Sequence, residues 1–458
     1  MTSCPRATFA VPRLRPRMNK EILRLAIPNI LSNLSVPLLS SYDTALMGSL
    51  SGAHIAAVGL GSMAFNFVYW NFGFLRMSTT GLTAQAYGRQ DGQEQRALLV
   101  RSGLLALGIS LLLVLLQIPL AELTTWLLNV RPAETGLVNS YFYIRIWAAP
   151  AAILQMVLFG WFLGRQNAVY PLVLTFIVNG ANIGISTYLV TSLGWAIEGV
   201  AWGTVLAQYI GLVCGLGLLA YDLRRSELGG PAFSIAWHRR PRPSNSGLGE
   251  FFAINRDIFI RTLCLTLSFA FFYNRSNALD VGTAVVAANV ILLQLVNWLS
   301  YGVDGFAFAA ESLVGKYHGA GEGANLRRVM QRVFLWGMAL AGLYAALYGL
   351  GGDRILRLFA PPSAAAETLA AARTYLPTVV LFCLLATPCY LLDGIYIGLT
   401  AARAMRQTML IALVGYLASY YGLGVRFGNW GLWAALLLFM VLRAVLQGIW
   451  LRTGRVRY

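Results

Sequence analysis

The sequence predicts an all-α integral membrane protein, with twelve transmembrane helices in two pseudo-symmetric six-helix lobes related as parallel repeats. Three observations lead there. Of 458 residues, 57% are hydrophobic and only 12% charged, a balance outside the range of soluble domains. Apolar stretches long enough to cross a bilayer, about 20 residues each, recur along the chain and run unbroken rather than alternating, which selects helices over a β-barrel. The second half also repeats the first at a constant offset.

Taken in order, the helices are expected at 22–47, 53–80, 98–119, 137–163, 168–190, 195–220, 256–279, 283–311, 327–350, 372–399, 405–425 and 430–452. Residues 1–20 read as a basic cytoplasmic leader, 21–221 as the first lobe, 222–255 as a cytoplasmic linker and 256–458 as the second lobe. The linker holds RRSELGGP and HRRPRPSNSG, turn-rich and basic. Translation from Met18 is an alternative to the leader, which a native peptide containing Phe9 would exclude.

The first helix, EILRLAIPNILSNLSVPLLSSYDTALMG, carries most of the chemistry. Pro28 and Pro37 each remove a ladder hydrogen bond and are expected to bend it. Asn29, Asn33, Ser40 and Asp43 are spaced by 4, 7 and 3 residues, so they share a face. A carboxylate in hydrocarbon costs several kcal/mol, so Asp43 is expected to face a cavity or a partner. Such a group can bind and release a proton. In the fifth helix, Thr175, Asn179, Asn182 and Ser186 form a second stripe at spacings of 4, 3 and 4. Asn179, Asn182 and Ser186 are expected to join Asp43 in a cation-coupling site. The alternative is helix–helix contact around the small residues of GANIG.

Asn33, Tyr42, Asn66, Trp70, Asn297, Tyr301 and Asp304 are the candidates for a substrate cavity. Asn297, Tyr301 and Asp304 share one face of the eighth helix, and aromatic rings can stack flat organic cations. Arg76, toward the inner end of the second helix, is expected either to snorkel to the membrane surface or to pair with an acid such as Asp393 in the tenth helix. There is no phosphate-binding loop. His54, His238 and His318 are far apart, and the five cysteines are scattered, so no metal or other cofactor is expected.

The net charge of +17 raises the question of nucleic acid. With the N-terminus in the cytoplasm, 27 of the 35 Lys and Arg fall on the cytoplasmic side, 7 fall outside and Arg76 lies within a helix. That bias supports twelve spans with both termini inside and accounts for the basicity without a nucleic-acid partner.

A shift of 231 residues places Tyr42 on Tyr273, Asn66 on Asn297, Gly88 on Gly319, Gly92 on Gly323, Arg96 on Arg327 and Arg101 on Arg332. Each half has an even number of spans, so the repeats share one orientation and alternate access by rocking. Asp43 falls on Asn274 and Arg76 on Ala307. The ionisable pair therefore belongs to the first half, where ion coupling is expected.

These features resemble a known family. SYDTALMG, FLRMSTTGLTAQAYG, VGKYHGAGE and LLDGIYIGLT followed by AMRQTM are together similar to the multidrug and toxic compound extrusion family. FLRMSTTGLTAQ and LLDGIYIG resemble its DNA-damage-inducible protein F branch. The resemblance covers about residues 19 to 452. It implies a V-shaped pair of six-helix lobes that exports organic compounds against proton or sodium entry. It also implies that Asp43 is the first-helix acid, and Asn182 the fifth-helix asparagine, of the family. Several relatives carry a second acid four residues after that asparagine, where this chain has Ser186.

The expected function is proton-coupled multidrug export by a monomer in the cell inner (plasma) membrane, with small organic molecules as substrates and the lipid bilayer as partner. Sodium coupling and a lipid-linked oligosaccharide flippase are the alternatives. A non-transporting membrane enzyme or sensor is the alternative of another class, and it would need a catalytic cluster that the chain does not offer.

Overall fold

The computed structural model describes residues 17–48, 52–127, 130–226, 247–279, 282–359, 366–422 and 424–456; the side chains of a few residues within these ranges, Asp43 among them, are outside the description. Most of the expected leader and residues 227–246 of the expected linker also lie outside it.

The described residues form helices and no strand. In chain order they are α1 (Arg17–Gly48), α2 (Gly52–Phe72), α3 (Phe74–Gly88), α4 (Gly92–Leu115), α5 (Gln117–Leu127), α6 (Pro132–Arg145), α7 (Ala149–Gly164), α8 (Val169–Thr187) and α9 (Ile197–Arg225), then α10 (Leu248–Ala278), α11 (Thr283–Gly319), α12 (Gly323–Phe359), α13 (Ala366–Gly398), α14 (Ala402–Gly422) and α15 (Gly428–Arg452). The pairs α2–α3, α4–α5 and α6–α7 are single interrupted traverses, so the chain crosses twelve times. Eight of the traverses are long and apolar enough to span a membrane on those grounds alone. The other four traverses are α1, α2–α3, α10 and α14. α1 continues through Pro28 and Pro37 without a break. Within it Ser35 donates to the Ser32 carbonyl at 2.7 Å and Ser41 to that of Pro37 at 2.9 Å.

The repeat read from the sequence recurs in the backbone. Gln90 and Gly321 stand 231 residues apart and both have positive φ, 57° and 70°. The turn they make is closed in the same way, by the Asp91 amide on the Ala86 carbonyl and the Glu322 amide on the Tyr317 carbonyl, each at 2.9 Å. Asp91 caps α4 by accepting from the amides of Gln93 and Glu94 at 3.2 and 3.0 Å.

α3 and α11 cross at the junction of the halves. A Cβ on Gly88 would strike the carbonyl of Lys316, and one on Gly319 would strike that of Gln85. Lys316 is Gln85 shifted by 231, so the two contacts are one contact repeated about the pseudo-axis. Close helix approach through small residues is the usual packing device inside membranes. Side-chain bonds tie the same end: Gln85 Nε2 donates to the Gly398 carbonyl at 2.9 Å, Gln166 Nε2 to that of Ser312 at 2.9 Å, and Ser312 Oγ to that of Leu163 at 2.5 Å. Ser78 is buried on this seam and donates to Asn255 Oδ1 of α10 at 2.7 Å, whereas Thr79 and Thr83 are buried against Gly160 and Gly164 of α7 within the first half.

At the opposite end the same faces part. Trp70 is 55% exposed and Met63 60%, and Asn66 and Asn297 are exposed. The halves therefore close on each other at the Gly88–Gly319 end and leave a crevice at the other.

Candidate functional site

Polar side chains of α1, α8 and α9 meet inside the first half. Ser32 and Thr175 share a hydrogen bond of 2.7 Å, Asn179 Nδ2 donates to Ser35 Oγ at 3.0 Å, and Tyr42 and Thr187 share one of 2.5 Å. The α8 stripe then divides. Thr175, Asn179 and Thr187 serve α1. Asn182 instead donates to Thr204 Oγ1 of α9 at 2.9 Å. Asn182 and Ser186 are both 0% exposed, and the Asn182 Oδ1 and Ser186 Oγ atoms have no hydrogen-bond partner. Ser186 Oγ lies where a Cβ on Gly203 would stand. Two buried oxygens without partners are costly and suit the coordination of a cation. Asp43 belongs to α1, one residue beyond Tyr42, but its side chain is outside the described residues.

Thr204 was not among the sequence candidates. Its only signal is a small–polar pair, Gly203–Thr204, inside an otherwise apolar helix.

The candidate cavity residues of the second half lie on one face of α11. Asn297, Tyr301 and Asp304 step down that face at helical spacing, and Phe308 and Glu311 continue it. Exposure falls along the line: Asn297 is exposed, Tyr301 and Asp304 are half-buried, and Glu311 is 1% exposed. Asn66 and Trp70 stand opposite on α2, and the 231-residue shift pairs Asn66 with Asn297 and Trp70 with Tyr301. Asn33 Nδ2 joins the halves by donating to the Tyr301 carbonyl at 3.2 Å. The crevice is thus lined by repeat-related residues and carries Asp304 on one side only, because its counterpart is Gly73.

Arg76 neither snorkels nor pairs with Asp393. Its guanidinium binds Glu311 through two bonds, Nη1 to Oε2 at 2.9 Å and Nη2 to Oε1 at 3.2 Å, and stacks on Phe308 with Cζ 3.8 Å from the ring centre. Asp393 is held elsewhere, by Arg261 of α10, by Arg443 Nη2 at 2.5 Å and by Gln447 Nε2 at 2.7 Å. Glu311 lies two turns from Asp304 and faces α3, which places it on Arg76 first. Arg261 and Arg443, counted with the cytoplasmic side in the charge bias, are 4% and 0% exposed. Asp304 lies within electrostatic reach of Arg76, Arg261, Glu311 and Asp393. Three arginines thus stand against three carboxylates, and the second half holds more buried charge than the repeat comparison suggests. Glu311 is legible as an acid inside the apolar run FAFAAESLVG, and Arg443 as a cation inside LFMVLRAVLQGIW.

Twelve traverses in two repeats, closed at one end and parted at the other, with charge buried along the seam, define a membrane transporter rather than an enzyme. The chain belongs to the MatE family, whose model matches residues 28–188 and again 258–421, one match in each half. It is 35% identical to DNA damage-inducible protein F of Escherichia coli (strain K12), over 95% of this chain and 93% of that protein. It is 25% identical to Protein DETOXIFICATION 44, chloroplastic, of Arabidopsis thaliana, over 96% of this chain and 83% of that one. In fold it is similar to a solved outward-facing conformation of a multidrug resistance MATE family transporter of the MOP superfamily, with a TM-score of 0.86 at 18% identity, covering 96% of this chain and 97% of the other.

Proposed function

We propose that the protein is a multidrug exporter of the cell inner membrane that moves small organic compounds outward in exchange for protons. The observation that carries this reading is the seam, closed at the Gly88–Gly319 end and open at the other around Asn66, Trp70, Tyr301 and Asp304. With both termini in the cytoplasm, the crevice faces outward. A monomer suffices, since each copy holds both repeats.

Asp43 is the coupling acid in this reading. Facing outward, it takes a proton and substrate leaves; the seam then parts, substrate enters from the cytoplasm and the proton is released inside. On the same lobe Ser32 and Ser35 of the first helix bond Thr175 and Asn179 of α8, while Asn182 and Ser186 face α9. Asp304 offers a negative charge to a cationic substrate, with Trp70 and Tyr301 as stacking faces.

Sodium is the second reading, because the unpartnered oxygens of Asn182 and Ser186 are the ligand type that sodium takes. Efflux from proteoliposomes with the pH and sodium gradients imposed one at a time separates the two. Efflux driven by sodium alone would overturn proton coupling. A flippase for a lipid-linked diphosphate would need several unpaired guanidinium groups facing the crevice. Among the arginines buried along the seam, Arg76, Arg261 and Arg443 are each committed to a carboxylate.

A further inference from the structure

On the N-terminal side of Pro28, α1 leaves its own half. Its side-chain bonds to α8 lie beyond that proline, from Ser32, Ser35 and Tyr42 to Thr175, Asn179 and Thr187. The other end is held by the second half. Gly305 of α11 has no room for a Cβ against Ile30 and the Ala26 carbonyl, and Glu21 accepts from the Tyr317 hydroxyl at 2.7 Å and pairs with Lys316 at 3.5 Å. Between this end of α1 and the start of α8 the crossing leaves a groove of about 550 Å³, lined by Lys20, Leu23, Arg24, Ile27, Pro28 and Val169.

The groove is charged at its mouth and apolar below it. Lys20 and Arg24 stand one turn apart, and Ile27 and Leu31 continue the same face, all four exposed. Leu31 lies about 10 Å along the axis from Arg24 at 1.5 Å per residue. Among the described residues neither cation forms an ion pair. The adjacent acid, Glu21, is turned to Tyr317 and Lys316, and residues 1–16 contain no acid.

A groove of about 430 Å³ occupies the equivalent place in the second half. The 231-residue shift puts Leu23 on Ile254 and Val169 on Thr400, and both of those line it. Its cations have a counter-charge from the protein: Asp257 accepts from Arg406 Nη1 at 2.6 Å and from Arg256 Nη2 at 3.1 Å, and Glu250 adds a second acid to the wall. The first-half groove keeps the cations, has no acid in its lining and is otherwise apolar.

We propose that the α1–α8 groove seats an anionic phospholipid of the cytoplasmic leaflet, its phosphate on Lys20 and Arg24 and an acyl chain along Ile27, Pro28 and Val169. Basic residues at the cytoplasmic membrane surface attract anionic headgroups, and basic pockets between spans hold them. A free anion would use the two cations and leave the apolar wall uncovered, whereas a lipid covers both. In that seat it fills the gap that α1 leaves on crossing to the second half. The choice of leaflet rests on the cytoplasmic N-terminus.

The test mixes the full chain, purified in dodecyl maltoside, with equimolar phosphatidylglycerol and phosphatidylcholine of the same acyl chains, and counts the lipid retained per copy by native mass spectrometry. The wild type is expected to retain phosphatidylglycerol over phosphatidylcholine by about tenfold. Lys20→Gln with Arg24→Gln is expected to bring the ratio to about one. Val169→Trp keeps both cations but fills the groove, and is expected to lose the preference as well. Arg327→Gln with Arg328→Gln removes the same charge from exposed positions of α12 and is expected to keep it. A wild-type ratio near one, a preference that survives the Lys20 and Arg24 changes, or one that falls equally in the α12 variant overturns the site. A preference kept in Val169→Trp would mean attraction to the surface rather than a seat in the groove, and overturns it too. Release of the retained lipid by inorganic phosphate would assign the cations to a free anion, with the same consequence. The count reads no transport and a micelle has no sides, so failure of the exporter reading or of the orientation leaves it unchanged.

Discussion

The Arg76 guanidinium grips both carboxylate oxygens of Glu311 across the seam, at 2.9 and 3.2 Å, from α3 of one half to α11 of the other. Both side chains are largely shielded, at 12% and 2% exposure. Removing one partner of such a pair costs about 3–5 kcal/mol, because the other is left buried and charged. Glu311→Gln is therefore expected to weaken the closed end. Distances between spin labels on the two halves at that end should broaden toward larger values. The reversed pair, Arg76→Glu with Glu311→Arg, should recover part of the narrow distribution. An unchanged distribution in Glu311→Gln would show that the pair does not hold the seam.

Gly88 and Gly319 make the same contact twice, so alanine at either should act alike. Each added methyl meets a carbonyl of the crossing helix, and overpacking of this kind costs about 1–3 kcal/mol. The measurable outcome is equal loss of melting temperature in the two single variants. A loss confined to one of them would show that the repeat is not symmetric at the seam.

Asp393 should behave as a structural keystone. It holds Arg261 and Arg443 together, and Gln447, which binds its other oxygen, accepts the Tyr396 hydroxyl on its carbonyl at 2.7 Å. Asp393→Asn leaves two buried guanidinium groups short of charge, a loss of about 3–5 kcal/mol. Thermal unfolding of the purified variant should begin several degrees lower. A variant that melts like the wild type but no longer transports would move Asp393 from scaffold to mechanism.

Asp43→Asn is expected to abolish gradient-driven efflux while leaving the melting curve in place. Full efflux in this variant removes Asp43 from coupling. Ser186→Asp adds a carboxylate beside Asn182 and should raise the sodium dependence of efflux. Sodium titrations that superpose on the wild type would count against cation binding at Asn182 and Ser186.

Hydropathy, the charge bias and the 231-residue repeat were enough to name the fold, because a bilayer admits few ways of satisfying a backbone. Helix ends were less legible. The expected 283–311 runs on to Gly319 in α11, and the expected 53–80 breaks at Gly73; polar residues past the apolar run still form helix once packed. On α8, the stripe of Thr175, Asn179, Asn182 and Ser186 reads as one face, yet it is wide enough to be shared between α1 and α9.

The sequence by itself determined which residues are chemically unusual: an acid in the first helix, arginines and acids within apolar runs, glycines at matching places in two halves. Only the tertiary structure decided which of them meet. Arg76 found Glu311 rather than Asp393, and Asp393 found Arg261 and Arg443. Partner choice between helices depends on which faces cross and at what depth, and spacing along one helix carries no record of the helix beside it.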